Sequence, residues 1–189
     1  MILSLKKVVA LGIVVLLSSV AVVWGLKTLT AKEIIGPVEA ETTYGPIKLT
    51  VRLDKNTFRL GEKINVTLTI TNISNKTIVL AYSSPPKTDF AVYNSSSDRI
   101  FLFSRAYGWA TVVVSLVLEP SESSSQIWKW DQQKGEWEED LQSVDPGTYY
   151  IAGLTGPGLY YLGPKDEYRE DFVERIKVET PKIEIAIKS

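Results

Sequence analysis

The chain has 189 residues, with 21 Lys+Arg against 22 Asp+Glu for a net charge of −1, and it contains neither cysteine nor histidine. Without cysteine there is no disulfide framework, and with histidine also missing neither a Ser-His-Asp nor a Cys-His arrangement can be assembled. A nearly balanced charge without a basic stripe argues against nucleic acid as a partner.

The first element is an uncharged apolar run, Val8–Leu26, set between Lys6-Lys7 and Lys27. It is long enough to cross a bilayer as one helix, and Trp24 stands where an interfacial aromatic anchor belongs. Two readings compete: an uncleaved signal-anchor, or a secretory signal cleaved after the small residues of Ser19-Val20-Ala21. A pilin-like assembly helix is a third. Residues 1–26 are therefore expected to form one N-terminal transmembrane or signal helix, with residues 8–26 as the membrane contact. The protein is then single-pass at the cell membrane, or secreted if the signal is removed.

Residues 27–45 read as a linker, because Gly36-Pro37 and Gly45-Pro46 punctuate a polar stretch without an apolar period. From residue 46 to 189 the length suits one domain. Ile47, Leu49, Val51 and Leu53 alternate with polar residues, which predicts a half-buried strand. After a turn at Leu60-Gly61-Glu62, Ile64, Val66, Leu68 and Ile70 face one way while Asn65, Thr67, Thr69 and Thr71 face the other. Strands are also expected at Thr77–Tyr82, Phe90–Tyr93, Ile100–Phe103, Thr111–Leu118, Gln126–Trp130 and Tyr149–Ala152. Short strands at this spacing predict an all-β, antiparallel sandwich. The best soluble helix candidate is Glu167–Arg175. The tail Lys182–Lys188, with Ile183, Ile185 and Ile187 on one face, is a strand that either pairs with its own sheet or adds to a neighbour's edge.

Four of the five asparagines open an Asn-x-Ser/Thr sequon: Asn65, Asn72, Asn75 and Asn94. Chance placement would give roughly one, so these are candidate glycosylation sites and place the C-terminal domain on the extracytoplasmic side. Glu136, Glu138, Glu139 and Asp140 flank Trp137. They read as a solvated acidic turn, with Ca²⁺ recruitment alongside Asp131 or an acid/base pair as alternatives. No metal site, cofactor or catalytic residue is assigned. Trp128 and Trp130 share one face, as core residues or as an aromatic platform. Arg105-Ala-Tyr-Gly-Trp109 brings Arg105, Tyr107 and Trp109, three residue types enriched at interface hot spots, onto one turn. Ser83-Ser-Pro-Pro-Lys-Thr88 is the second candidate recognition loop, with Pro85 and Pro86 holding Lys87 in an extended segment.

The order of motifs from Phe58 to Tyr149 resembles the BsuPI family of intracellular proteinase inhibitor domains. Phe58-Arg-Leu-Gly-Glu62 opens it, followed by Leu68-Thr-Ile-Thr-Asn72 and the Asp89-Phe90 pair. Ile100-Phe-Leu-Phe-Ser104 carries Phe101 and Phe103 where the family has tryptophans, and Leu118-Glu-Pro-Ser-Glu122 has Ser121 where the family has glycine. Trp130-Asp131 and Asp145-Pro-Gly-Thr-Tyr149 complete the set. The resemblance implies an immunoglobulin-like sandwich, here with a C-terminal extension from about residue 150, and permits protease inhibition. It places no reactive-site residue. The expectation is a non-enzymatic, membrane-tethered, extracytoplasmic protein-binding module whose partner is a protein such as a serine protease. The alternative is a cell-surface structural or filament subunit assembled by strand addition.

Overall fold

The computed structural model describes residues 33–164 and 174–189. The expected N-terminal helix at 1–26, residues 27–32 of the expected linker and residues 167–173 of the helix candidate Glu167–Arg175 lie outside them, while its last two residues, Glu174–Arg175, are in a strand. Among the described residues no helix is long and apolar enough to cross a membrane.

The described chain is built from β-strands in two layers. One layer is the antiparallel sheet β1 (Val38–Tyr44), β2 (Ile47–Leu53), β4 (Ile64–Asn72) and β9 (Ser123–Trp130), in that spatial order. The facing layer has two parts. The first has the order β3 (Thr57–Arg59), β15 (Ile183–Lys188), β12 (Gly147–Thr155), β6 (Thr88–Tyr93) and β7 (Arg99–Leu102). The second has the order β14 (Glu174–Arg175), β13 (Tyr160–Pro164), β5 (Ile78–Tyr82) and β8 (Val114–Leu118). A short pair, β10 (Gln133–Lys134) with β11 (Gln142–Ser143), one helical turn, α1 (Phe103–Ala106), and a 3-10 turn at Glu138–Asp140 complete the described elements.

Period-two sequences cause this arrangement, because each strand can bury only every second side chain. Ile47, Leu49, Val51 and Leu53 of β2 and Ile64, Val66, Leu68 and Ile70 of β4 are all buried, while Asn65 and Arg52 are exposed. Val51 and Leu68 pack with Phe90, Ile151 and Ile185 of the facing layer into one core cluster. Ile47, Leu49 and Ile70 pack with Ile78, Leu80, Tyr82 and Leu118 into a second. The facing layer is continuous in sequence: β5 runs on to β6 and β12 to β13, pairing antiparallel on both sides of a break at Ser83–Lys87 and Gly156–Leu159. Tyr149 Oη donates to the Asp145 carbonyl, 2.8 Å away and four residues upstream, as in the tyrosine corner of immunoglobulin-like sandwiches.

Several expectations need correction. Residues 38–44 of the expected linker form β1, paired with β2 from Val38↔Leu53 to Tyr44↔Ile47. Its half-buried Val38, Ala40 and Thr42 do alternate, but threonine and alanine are too weakly apolar to register as a period. Phe103 leaves the expected strand to open α1, and Thr111–Val113 precede β8 as irregular chain. The terminal strand pairs within its own sheet, antiparallel to β12 over Ile183–Ile187 and parallel to β3 over Ala186–Lys188. The C-terminal extension thus belongs to the body of the sandwich.

Asn72 is fully buried. Its Nδ2 donates to the carbonyls of Lys76 (2.8 Å), Leu118 (3.0 Å) and Glu119 (3.0 Å), and its Oδ1 accepts from Ser74 N (2.9 Å). Backbone bonds from Asn72 N to Glu122 O and from Ser121 N to Asn72 O close the same junction. Ser121, at a position where the related family has glycine, sits at φ 65°.

Candidate functional site

The candidate residues Arg105, Tyr107 and Trp109 lie on a surface built around α1. Its N-cap, Leu102, has no side-chain oxygen to offer, and the cap comes from the neighbouring strand: Asp89 Oδ1 accepts Ser104 N at 3.0 Å and Phe90 N at 2.8 Å. Burial pushes the Asp89 carboxyl above its ordinary value, against the opposing effect of its hydrogen bonds from Ser104 and Phe90 and the charge of Arg99. Asp89 therefore fixes where the chain leaves β7 and begins the turn carrying Arg105, Tyr107 and Trp109.

Aromatic packing fixes the rest of that turn. Phe103 stacks on Phe90 with centroids 5.3 Å apart and lies 4.6 Å from Trp128 of β9. Tyr107 packs on Phe103 (5.2 Å), while Trp109 leans on both Phe103 (6.0 Å) and Trp128 (6.1 Å). Trp109 is still 38% exposed. Burial, followed by the nearby charges of Asp131 and Glu138, raises the Tyr107 hydroxyl pKa. Arg105 makes an ion pair with Glu136 (2.9 Å) and lies over the ring of Trp137, itself 49% exposed, at 5.9 Å. Arg105, Trp109 and Trp137 thus project from turns whose inner side chains are locked into the sandwich.

The second candidate loop is placed differently. Ser84 and Pro86 are buried, and Pro85 and Lys87 are half-buried. The Lys87 carbonyl accepts Gly156 N at 2.9 Å, and Ser83 Oγ donates to the Pro157 carbonyl at 3.2 Å. Any Cβ at Gly156 would collide with the Pro86 carbonyl, so only glycine permits this approach. Pro85, Pro86 and Lys87 therefore form a bulge inside the facing layer, not a protruding loop. It does touch the first surface from behind: Thr88 Oγ1 accepts from Trp128 Nε1 (3.1 Å) and donates to Gln126 Oε1 (2.8 Å).

Of the four sequon asparagines, Asn65 and Asn75 are exposed. Asn94 is half-buried, and its Nδ2 donates to Asp98 at 3.0 Å. Asn72 has no surface and its Nδ2 is fully engaged, which rules it out as an acceptor in the folded domain. Asp131 pairs with Lys63 at 3.3 Å. Among the described residues no group of three or more His, Cys, Asp or Glu could hold a metal ion. Sequence reasoning singled out Arg105, Tyr107, Trp109 and Trp128 but not Trp137 as part of the same surface, nor Asp89 as its support. The signals for Asp89 were its place in the Asp89-Phe90 motif of the family resemblance and an isolated carboxylate near the start of an otherwise apolar strand.

Residues 51–155 match the BsuPI family, described as intracellular proteinase inhibitor. Nothing among curated proteins matches the chain. Among solved structures, a β-glucosidase from Listeria innocua in complex with glucose is 14% identical at a TM-score of 0.40, over 78% of this chain and 17% of that one. The sporulation control protein Spo0M from Bacillus subtilis is 12% identical at a TM-score of 0.38, over 77% of this chain and 51% of that one. The alkylpurine DNA glycosylase AlkC of Pseudomonas fluorescens, bound to DNA containing an abasic site analogue, is 13% identical at a TM-score of 0.35, over 77% and 31%. This chain thus spans less than a fifth of the glucosidase and about half of Spo0M.

The support of α1 by Asp89 has a defined pH signature. With its folded pKa above the unfolded one, the native state holds the proton more tightly, so ionised Asp89 subtracts stability. The subtraction grows as pH rises from the ordinary carboxylate value through the raised one and is constant above it. Asp89→Asn keeps an acceptor for Ser104 N and removes the buried charge. It should be at least as stable as the native protein at pH 7, with its advantage shrinking towards pH 4. Asp89→Ala should lose about 2 kcal/mol by orphaning that N–H. Urea unfolding of the three proteins at both pH values measures this; a native-like Asp89→Ala contradicts it.

Proposed function

Because the chain belongs to the BsuPI family, we propose that its sandwich is a proteinase-inhibitor-like, non-enzymatic binding domain acting through the α1 surface. The observation that carries this reading is the pre-ordering of Arg105, Tyr107 and Trp109. Each sits on a turn held by a buried carboxylate and an aromatic stack, so docking would order few additional side chains. Residues of these types, rigid and partly exposed, are what concentrates binding energy at protein interfaces. The target is a serine protease whose cleft the turn occludes.

The reading extends to location. Val8–Leu26 holds the protein at the membrane, and the sandwich lies on the extracytoplasmic side, with the surface asparagines Asn65 and Asn75 as glycan acceptors. The length and lysine flanks of the apolar run support the first point, and the excess of sequons supports the second. A protease target must then lie on the same side, although the family is described as intracellular.

Titrating the full-length protein in detergent against subtilisin-type serine proteases tests the activity. Slowed substrate cleavage is expected, weakened about tenfold or more by Trp109→Ala, and no slowing at micromolar excess rejects it. Intact-mass measurement of the protein extracted from its native membrane tests the location. An uncleaved chain carrying glycan at Asn65 or Asn75 is expected, and an unmodified chain lacking its first residues contradicts it.

A further inference from the structure

The stretch Ala110–Leu118 contains no charged residue, no proline and no glycine. Its second half is β8, the last strand of its sheet. β8 pairs with β5 from Ile78↔Leu118 to Tyr82↔Val114, and among the described residues no strand pairs with its other edge. Val114 and Leu116 lean on the second core cluster. Val112, Val113 and Val117 are 49%, 74% and 43% exposed. Proteins usually blunt such an edge with lysine, proline or a bulge, because its unpaired N–H and C=O groups template another strand. The edge strand β9 follows that practice, presenting Ser123, Ser125 and Lys129 outward with its one exposed isoleucine, Ile127. β8 carries no such device.

The edge is also complementary to itself. Residues opposed in an antiparallel pair share a face, so a two-fold pairing must be centred on a residue, not between two. Centred on Ser115, the pairing sets Val113 opposite Val117 of the second copy, and the reverse. Val114 and Leu116 oppose each other on the core side, and the two serines meet on the axis. Glu119 falls opposite Thr111, so no like charges face each other. We propose that β8 pairs antiparallel with β8 of a second copy of this chain about a two-fold axis at Ser115, joining the two sheets into one. Such a contact is closed and isologous, and gives a dimer and not a filament. It does not rest on the inhibitor reading, since Arg105 and Trp109 lie outside the paired residues.

A chain without native cysteine allows the register to be read directly. Opposed Cα atoms in an antiparallel pair are about 4.5–5.5 Å apart, within disulfide range. Full-length Ser115→Cys, mildly oxidised, should form a disulfide-linked dimer, with roughly tenfold more cross-linking than Ser125→Cys on the edge strand β9. Val113→Cys and Val117→Cys should each remain uncrosslinked alone and link to each other when mixed. The proposal is overturned if Ser115→Cys links no better than Ser125→Cys, or if Val113→Cys links to itself as readily as to Val117→Cys. Because no protease is present, neither result bears on inhibition.

Discussion

The side-chain amide of Asn72 holds together the two places where the chain passes between layers. β4 ends at Asn72 and the chain crosses to β5; β8 ends at Leu118 and the chain crosses back to β9. One Nδ2 donates to the carbonyls of Lys76, Leu118 and Glu119, which lie at the two crossings. Each such bond contributes about 1 kcal/mol net, and removing the amide would also leave the buried position without its donor. An aspartate could not replace the amide, having no donor to give. With both crossings fastened at one point, the pairings β4 with β9 and β5 with β8 are set together, and so is the position of every side chain facing outward from β8 and β9.

The turn bearing Arg105 and Trp109 inherits its order from this junction and from one other. Its N-terminal side is fixed by Asp89, which caps α1 from β6. On its C-terminal side, the chain enters β8, whose far end is fastened at Asn72. Between them Phe103, Tyr107, Trp109 and Trp128 form a continuous aromatic stack that closes one side of the sandwich. A surface segment held by buried polar groups at both ends keeps its shape when free. That property separates a rigid surface turn from an adaptable loop, and Ser83–Lys87 shows the opposite case, where prolines serve internal packing.

How much of this was legible in the sequence depended on whether a residue's role is periodic. The strands β2 and β4 were plain because isoleucine, leucine and valine repeat at every second position. β1 was missed because alanine and threonine carry its inward face, and β3 because three residues show no period. The candidate residues Arg105, Tyr107 and Trp109 were recognisable by type and by the glycine between them. Pro85 and Pro86 were misleading, since proline marks extended chain without saying whether that chain is buried. Asn72 was the hardest case: inside a sequon, among Thr-rich strands, its sequence context favours a surface glycan. Only the return of Leu118 and Glu119, 46 and 47 residues later, turns it into a buried clamp. The paired roles of Asp89 and Ser104 were hidden for the same reason.

The proposed recognition surface of this BsuPI-family sandwich is the α1 turn. Hydrogen exchange of the full-length protein, alone and with a catalytically inactivated subtilisin-type protease, tests that placement most directly. Slowed exchange of the backbone amides from Ser104 to Ala110, with those of Ser83 to Thr88 unchanged, is the predicted result. Protection confined to Ser83–Thr88, or none at either segment, would contradict it.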